Sequence, residues 1–569
     1  MRAAALSPDA PSYASAARSV AARVLKFSAM RPAWRIASLS ALALATLGGA
    51  VAGDRLLANT SRTHENLRLL TEVLEAAQTS YGREVTYRDL VYAGIHGMLR
   101  TLDPHTTFLS AEANAQMRER HQASFFGLGI LVGQRNGRLT VITPIEGTPA
   151  SRLGIRAGDI IHLIEGEPTS KMTVDEAVAK LKGPKDTEVH ITILRAGFPE
   201  ALEMTVVRAE IPQSTVRYAY MLAPGTGYIS VSDFSRSTGS EVARAIEELR
   251  GEGMDRLLLD LRNNGGGLLD QAIEVSEQFV DSGDLVVETR GRVRDSMQRF
   301  EADGRYAPLD LPLVVLVNAG TASASEIVSG AIQDHDVGLV VGTPTWGKGL
   351  VQTVFNLSYG AGLALTTAKY YTPSGRLIQR DYHSFIDYYA RTDADETDAG
   401  PAEGAQRPGE EFATDLGRKV YGGGGITPDV KVEPHELPPT LQFLFARSAF
   451  FRFAVDWANR HESVARDWRP DADVERQFAT WLVDEKLQTA AEAAAILADA
   501  GNRDVVLRQI RAEVLGAKYG IEAAHQVLAE GDTQIQSALS LFPRAATLLA
   551  QRKGLAPLPA VQTAETIRH

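Results

Sequence analysis

The spacing of hydrophobic residues changes several times along the chain, and each change predicts a different kind of structure. In residues 60–118, apolar side chains recur at helical intervals, so that Leu67, Leu70 and Val73 share one face. Pro104 ends the last of these helical stretches. The pattern predicts a helical N-terminal segment.

The pattern then becomes β-rich. Residues 119–210 hold short apolar runs separated by Gly, Asn and Pro turns, with one helical stretch at 173–182. This predicts a small β module.

Residues 211–436 alternate between strand and helix. Strands are predicted at 226–231, 256–261, 313–317 and 339–341, with helices at 239–251, 269–280 and 323–335. Alternation of this kind favours α/β layering around parallel strands. Residues 437–569 are again helical, and the sequence therefore predicts a multidomain α+β protein. Its predicted parts are an N-terminal segment (1–53), N-terminal helices (58–118), a β module (119–210), an α/β core (211–436) and a C-terminal helical extension (437–569).

The first 53 residues are basic and then apolar. Six Arg and Lys side chains and one acid, Asp9, precede the uncharged run 36–53. The length of this run lies between the lengths typical of the apolar region of a secretory signal and of a membrane span. The positive-inside rule sends the remainder of the chain out of the cytoplasm. We expect an exported protein of the periplasm or cell envelope. A signal peptide cleaved after Ala52 is favoured over an inner-membrane anchor, because glycines in the run weaken a span.

Composition narrows the chemistry. The 569 residues are 44% hydrophobic and 23% charged, which is ordinary for a folded protein. Acids outnumber bases 70 to 59, so a nucleic-acid partner is not expected. The chain has no cysteine, which excludes disulfides, thiolate nucleophiles and thiolate metal sites. No spacing of His, Asp and Glu resembles a zinc site, and neither a metal nor another cofactor is predicted.

A serine segment follows a predicted core strand. Residues 317–327 (VNAGTASASEI) predict a tight turn and a helix beginning at Ser323. Ser323 and Glu326 have the S-x-x-E spacing of a capping box, which alone is ordinary helix punctuation. A serine at a helix N-terminus also lies beside free backbone N–H groups, where an oxyanion is stabilised. The two interpretations are compatible.

A lysine segment follows the next strand. In residues 342–352 (GTPTWGKGLVQ), Lys348 lies between two glycines. An exposed turn lysine is one interpretation. The other is a general base, which must be neutral and therefore needs a lowered pKa. Gln352 could hold its amine without adding charge.

Two glycine segments could present backbone N–H groups. Residues 259–269 (LDLRNNGGGLL) carry a triple-glycine turn after a predicted strand. Residues 125–130 (FFGLGI) carry a glycine turn before a predicted strand. The second turn could hold a terminal carboxylate beside a strand edge that accepts a peptide. Structural turns remain the alternative for both.

Together and in this order, these segments resemble the carboxyl-terminal processing proteases, also called tail-specific proteases, over about residues 60–436. The resemblance implies that 119–210 is a PDZ domain and 211–436 an α/β, crotonase-like protease core. It implies the following roles: Ser323 as nucleophile, Lys348 as general base, Gln352 as the residue that orients the lysine, the N–H groups of Gly266 and Ala324 as the oxyanion hole, and Gly127, Leu128, Gly129 and Ile130 as the peptide carboxylate loop.

The sequence departs from the family pattern in three places. The usual Asn-Pro-Gly-Gly turn of the family is replaced by Asn264-Gly265-Gly266-Gly267. The sequence therefore locates the glycine of the oxyanion hole only to within one residue. The acidic stretch 392–410 is inserted before the last family segment, and residues 437–569 lie outside the match. The role of this extension stays open between dimerisation, capping the active site and binding a partner.

The expected function is an exported serine endopeptidase acting on proteins or peptides with apolar C-termini. An activator or adaptor protein, membrane anchoring and homo-oligomerisation are left open by the sequence. Two alternatives belong to other classes: a catalytically inactive PDZ scaffold, and a crotonase-like acyl-CoA enzyme. A Ser–His–Asp triad using His335 is disfavoured, because His335 lies near the far end of the Ser323 helix.

Overall fold

The computed structural model describes residues 64–380 except 136, residues 409–557 except 462, and residues 565–567. The predicted signal or anchor (1–53) and most of the acidic stretch 392–410 lie outside the described residues. The chain divides into two compact units, residues 1–98 and 99–569.

The first unit contains the predicted helices. Helix α1 covers 64–80 and helix α2 covers Tyr87–Leu99. Leu67, Leu70 and Val73 on α1 are exposed, so its predicted apolar face is not buried.

The second unit begins with β1 (Thr107–Leu109) and α3 (Ala111–His121). The β module follows, and its elements are β2 (Ser124–Gly127), β3 (Ile130–Arg135), β4 (Arg138–Pro144), α4 (Pro149–Arg152), β5 (Ile160–Ile164), β6 (Glu167–Pro168), α5 (Val174–Leu181), β7 (Glu188–Leu194), β8 (Leu202–Val207) and β9 (Ala209–Pro212). The sheet order is β3-β4-β5-β7-β8, with β6 on β5 and β2 paired with β9. Strand β3 is thus an edge strand, beside α5.

The α/β core comes next. Its elements are β10 (Val216–Ala223), β11 (Thr226–Val231), α6 (Thr238–Gly251), β12 (Arg256–Asp260), α7 (Leu269–Ser276), β13 (Leu285–Gly291), β14 (Gln298–Glu301), β15 (Leu313–Val317), α8 (Ala324–Asp334), β16 (Leu339–Gly342), β17 (Leu350–Asn356), β18 (Gly362–Tyr371), β19 (Glu411–Ala413), β20 (Lys419–Tyr421) and β21 (Val430–Val432). The predicted strands and helices of this region are present, with ends that differ by a few residues.

Two sheets form this core. The larger has the order β10-β11-β12-β15-β16-β21 with a last strand, β22 (Glu565–Ile567), and every pair except β10 with β11 is parallel. Helices α6, α7 and α8 pack on one of its faces. The smaller sheet, β1-β18-β13-β14 with β17 on β18, is antiparallel. The helix–strand alternation does not predict this second sheet. Its two local pairs, β13 with β14 and β17 with β18, are joined into one sheet because β18 pairs with β1 and β13 across long distances in sequence.

The C-terminal extension is helical, as predicted. Its helices are α9 (Pro439–Ala446), α10 (Ala449–Arg460), α11 (Ala472–Asp484), α12 (Ala490–Ala498), α13 (Ala500–Tyr519), α14 (Ile521–Ala529) and α15 (Thr533–Arg552). Helices α9–α14 pack around Phe450, Phe453 and Phe478. Helix α15 instead covers the second face of the large sheet. None of the helices in the described part of the chain combines the length and apolar character that a membrane crossing needs.

Candidate active site

Ser323 stands at the N-terminus of α8 in a strained backbone conformation. Its φ is 57° and its ψ is −115°, a region that costs a non-glycine residue about 1–3 kcal/mol. Hydrogen bonds on both sides hold it: its N–H donates to Glu326 Oε2 at 2.7 Å, and its carbonyl accepts the Tyr370 hydroxyl at 3.0 Å. The serine is therefore fixed on a sharp turn between β15 and α8.

Lys348 lies in the loop between β16 and β17. Its amine donates to Gln352 Oε1 at 2.7 Å, and Gln352 Nε2 in turn donates to the His105 carbonyl at 2.7 Å. Because Nε2 faces that carbonyl, Oε1 must face the lysine. Burial lowers the pKa of Lys348, while the negative charges of Glu326 and Asp103 oppose this effect.

The turn before β1 is also part of the site. The sequence analysis did not predict this contribution. Asp103 accepts hydrogen bonds from the N–H groups of His105 and Thr106 and from the Thr366 hydroxyl on β18. Burial lowers the pKa of His105 to about 4, with the Lys348 charge adding to the shift and Asp103 opposing it. A neutral His105 therefore adds no charge beside the lysine. The sequence signal is Asp103-Pro104, a pattern that by itself predicts only the end of a helix.

The glycine turn lies directly against Ser323. A Cβ on Gly266 would come within 2.8 Å of both Ser323 Cβ and the Ala324 nitrogen. Ala324 is the first helical residue, and such an N–H has no partner within its helix. The Gly266 N–H donates to Asn264 Oδ1 at 2.9 Å. The oxyanion role assigned to Gly266 therefore requires this bond to open, and it stays a prediction.

Ser323 and Lys348 line the same cleft, of about 830 Å³. Gln352, Gly266 and Ala324 line it as well. Among the described residues, no hydrogen bond joins the Ser323 hydroxyl to the Lys348 amine. Such contacts are often long in an enzyme without substrate and tighten in the complex.

The remaining cleft wall is mixed in character. Its apolar part includes Met117, Leu269, Ile327 and Val351, and its titratable part comprises Arg120, His121 and Asp233. Burial raises the pKa of Asp233 and lowers the pKa of His121. The cleft thus combines an apolar wall with titratable groups beside Ser323 and Lys348.

The predicted carboxylate loop connects β2 to β3. Gly129 has φ 78°, and a Cβ there would lie 2.2 Å from Thr148 Cβ, so the loop requires glycine at this position. The Leu128 side chain is buried in the core of the β module. The edge of β3 next to the loop pairs with no other described strand. An extended peptide could therefore add to this edge.

His335 is not part of the cleft. Nδ1 contacts Asp415 Oδ2 and Nε2 contacts the Leu285 carbonyl, each at 2.8 Å, at the opposite end of α8 from Ser323. The structure therefore supplies no histidine triad around Ser323 from this residue.

Comparison with known proteins gives two family matches. Residues 225–383 match peptidase family S41, and residues 115–194 match the PDZ domain. A carboxy-terminal-processing protease of Bartonella bacilliformis is 40% identical over 325 residues, which are 56% of this chain and 74% of the relative. A carboxyl-terminal-processing protease of Synechocystis is 41% identical over 306 residues, 52% of this chain and 70% of the relative.

Solved structures give a similar match. The structure titled photosystem II D1 C-terminal processing protease is 28% identical and has a TM-score of 0.33. The match covers 66% of this chain and 95% of that chain.

Proposed function

Since this chain belongs to the carboxyl-terminal processing proteases of peptidase family S41, we propose that it cleaves peptide bonds with Ser323 as nucleophile and Lys348 as general base. One observation carries the proposal. Lys348 and Ser323 line one cleft, and the lysine amine is held by the neutral Gln352 amide.

A base of this kind must lose its charge at the working pH. A lysine with its ordinary pKa of about 10.4 is almost fully protonated at pH 7. Burial lowers the pKa of Lys348, which increases the neutral fraction. A hydrogen bond to Gln352 orients the amine without the charge that a carboxylate would bring.

The proposed reaction has two steps. The Ser323 oxygen attacks the scissile carbonyl carbon and gives its proton to the Lys348 amine, and the oxyanion accepts the Ala324 N–H. The carbon–nitrogen bond then breaks, and Lys348 returns the proton to the leaving amine. Water then attacks the acyl-enzyme carbonyl carbon and gives a proton to Lys348. The bond between that carbon and the Ser323 oxygen breaks, Lys348 returns the proton to the Ser323 oxygen, and the new carboxyl terminus leaves. Gly266 supplies a second oxyanion donor once its bond to Asn264 opens.

The PDZ domain defines the proposed substrate class. We propose that the loop 127–130 and the β3 edge take the C-terminus of a protein, with apolar C-terminal residues packing beside Leu128 and Ile130. The basic and apolar N-terminal sequence (1–53) supports an extracytoplasmic location. The proposal leaves open an adaptor protein, a membrane anchor and a homo-oligomer.

The direct test compares the purified full chain with Ser323→Ala and Lys348→Ala. Each protein is incubated with an unfolded test protein that ends in apolar residues, and fragments are identified by mass spectrometry. We expect cleavage by the wild type and loss of at least about 1,000-fold in both variants, because nucleophile and base act as a unit. The same test protein ending in charged residues is the control for PDZ recognition.

Two outcomes would contradict the proposal. Equal cleavage by the wild type and Ser323→Ala would assign the reaction to another nucleophile. Binding of the test protein without cleavage, under every condition tried, would support a PDZ scaffold instead.

A further inference from the structure

Glu326 contacts the backbone of both proposed catalytic residues. Its Oε2 accepts the Ser323 N–H at 2.7 Å and the Lys348 N–H at 2.9 Å. Its Oε1 accepts the Gly347 N–H at 2.7 Å and the Thr345 hydroxyl at 2.5 Å. One carboxylate therefore joins the start of α8 to the loop that carries Lys348.

Tyr370 makes the complementary contacts from β18. Its hydroxyl shares its one hydrogen between the Lys348 carbonyl at 2.6 Å and the Ser323 carbonyl at 3.0 Å. The N–H groups of Ser323 and Lys348 thus meet one side chain, and their carbonyls meet another. Glu326 is 0% exposed and Tyr370 1%, so water does not compete for these bonds.

A capping role alone does not account for this arrangement. An N-terminal cap requires bonds only within α8, whereas three of the four donors to Glu326 belong to the lysine loop, 19 to 22 residues away. Three backbone N–H groups and the Thr345 hydroxyl surround the carboxyl group, and the three N–H groups, which can only donate, favour its ionised form. Burial raises the pKa of Glu326, and the four donors oppose that shift.

We propose that Glu326 and Tyr370 are positioning residues that fix the distance between the Ser323 hydroxyl and the Lys348 amine by clamping both backbones. The inference rests on the proposed roles of Ser323 and Lys348. Glu326 also places a negative charge that favours the protonated form of Lys348. The clamp therefore fixes the position of Lys348 and also contributes to its pKa.

The groups that face Lys348 come from several elements. These groups are Glu326 on α8, Asp103 and His105 in the turn before β1, and Tyr370 on β18. Arg120, His121 and Asp233 line the same cleft. Among these groups, Glu326 and Tyr370 are the two that touch the backbone of both catalytic residues.

Glu326→Gln tests the clamp and its charge together. The amide cannot accept all four bonds, so the expected result is a fall in kcat of about 10- to 100-fold with KM changed less than about twofold. Loss of the negative charge lowers the pKa of Lys348 further. Because the base must be neutral, the acid limb of the kcat/KM profile moves to lower pH, by about 0.5 to 1 unit. A merely structural role would reduce activity without moving this limb.

Tyr370→Phe tests the clamp without a change of charge. It removes the donor to both carbonyls, so kcat falls about tenfold or more while KM and the acid limb stay in place. This variant also keeps the inference testable if Glu326→Gln does not fold, which thermal unfolding would reveal.

Matched controls lie outside the cleft. Glu241→Gln removes a carboxylate that accepts the N–H groups of Thr215 and Val216, and Tyr220→Phe removes a buried hydroxyl that meets His525. Both are expected to retain wild-type kcat and acid limb.

The outcomes separate this inference from the proposed function. An inactive Ser323→Ala together with wild-type kcat in Tyr370→Phe, or with an unmoved acid limb in a folded Glu326→Gln, would overturn the clamp and leave the peptidase in place. An active Ser323→Ala would overturn both, because no catalytic pair would remain for the clamp to hold.

Discussion

At Lys348, the decisive quantity is the fraction of the amine that is neutral. Burial lowers the pKa of this lysine, and Glu326 and Asp103 act in the opposite direction. Gln352 is the direct partner and carries no charge. A charge placed at position 352 should therefore change activity more than the loss of one hydrogen bond would.

Gln352→Glu tests this balance. A carboxylate beside the amine raises the pKa of Lys348, so the neutral fraction at pH 7 decreases. We expect the acid limb of kcat/KM to move to higher pH and activity at pH 7 to fall at least about tenfold. Rates measured from pH 6 to 10 check the direction.

Asn356→Asp is the control for this variant. It makes the same amide-to-acid change on β17, at an exposed position that does not line the cleft. An acid limb that stays in place in Gln352→Glu would contradict Lys348 as the base.

At the scale of elements, the C-terminal extension contacts the glycine turn of the active site. Arg262, in that turn, donates to both oxygens of Asp532 at 2.9 and 3.1 Å and to Gln534 Oε1 at 2.9 Å. It also pairs with Asp260 at the end of β12. Asp532 is the N-cap of α15. One arginine thus joins the strand, the glycine turn and the last helix.

Arg262→Met should destabilise the protein. It leaves Asp260, whose side chain is 6% exposed, without its cation, and breaking such a pair costs about 3–5 kcal/mol. Denaturant unfolding measures this loss. Arg244→Met removes the exposed pair with Glu248 and should cost less than about 1 kcal/mol. Equal stability of the two variants would show that α15 docks without Arg262.

At the scale of the whole molecule, α15 completes the protease core. Its Ile535, Ala538 and Phe542 pack on Tyr228, Leu258 and other residues of the large sheet. Without this helix, the second face of a mainly parallel sheet would be exposed, and such sheets are covered on both faces. The extension is therefore part of the fold of the catalytic unit.

Ala538→Asp tests that conclusion. Ala538 is 0% exposed, so an unpaired charge there should cost several kcal/mol or make the protein aggregate. Ser540→Asp introduces the same side chain at an exposed position of α15 and should leave the melting temperature nearly unchanged. A wild-type melting temperature in Ala538→Asp would show that the helix is dispensable.

Local patterns predicted most elements of the second unit. The strands Thr226–Val231 and Leu313–Val317 begin and end at the predicted residues, because each is a short apolar run bounded by turns. The smaller sheet was missed, since β18 pairs with β1 and with β13 across long distances that sequence spacing does not encode. Helix α15 was predicted as a helix but not as a layer of the core.

The sequence by itself determined the family, the order of the segments and the candidates Ser323, Lys348 and Gln352, because these depend on residue types at fixed spacings. Only the tertiary structure decided what surrounds them. The His105 carbonyl reaches Gln352 across 247 residues, and the Tyr370 hydroxyl reaches the Ser323 carbonyl across 47. These contacts arise from sheet pairing and burial, which bring together groups that no local pattern relates.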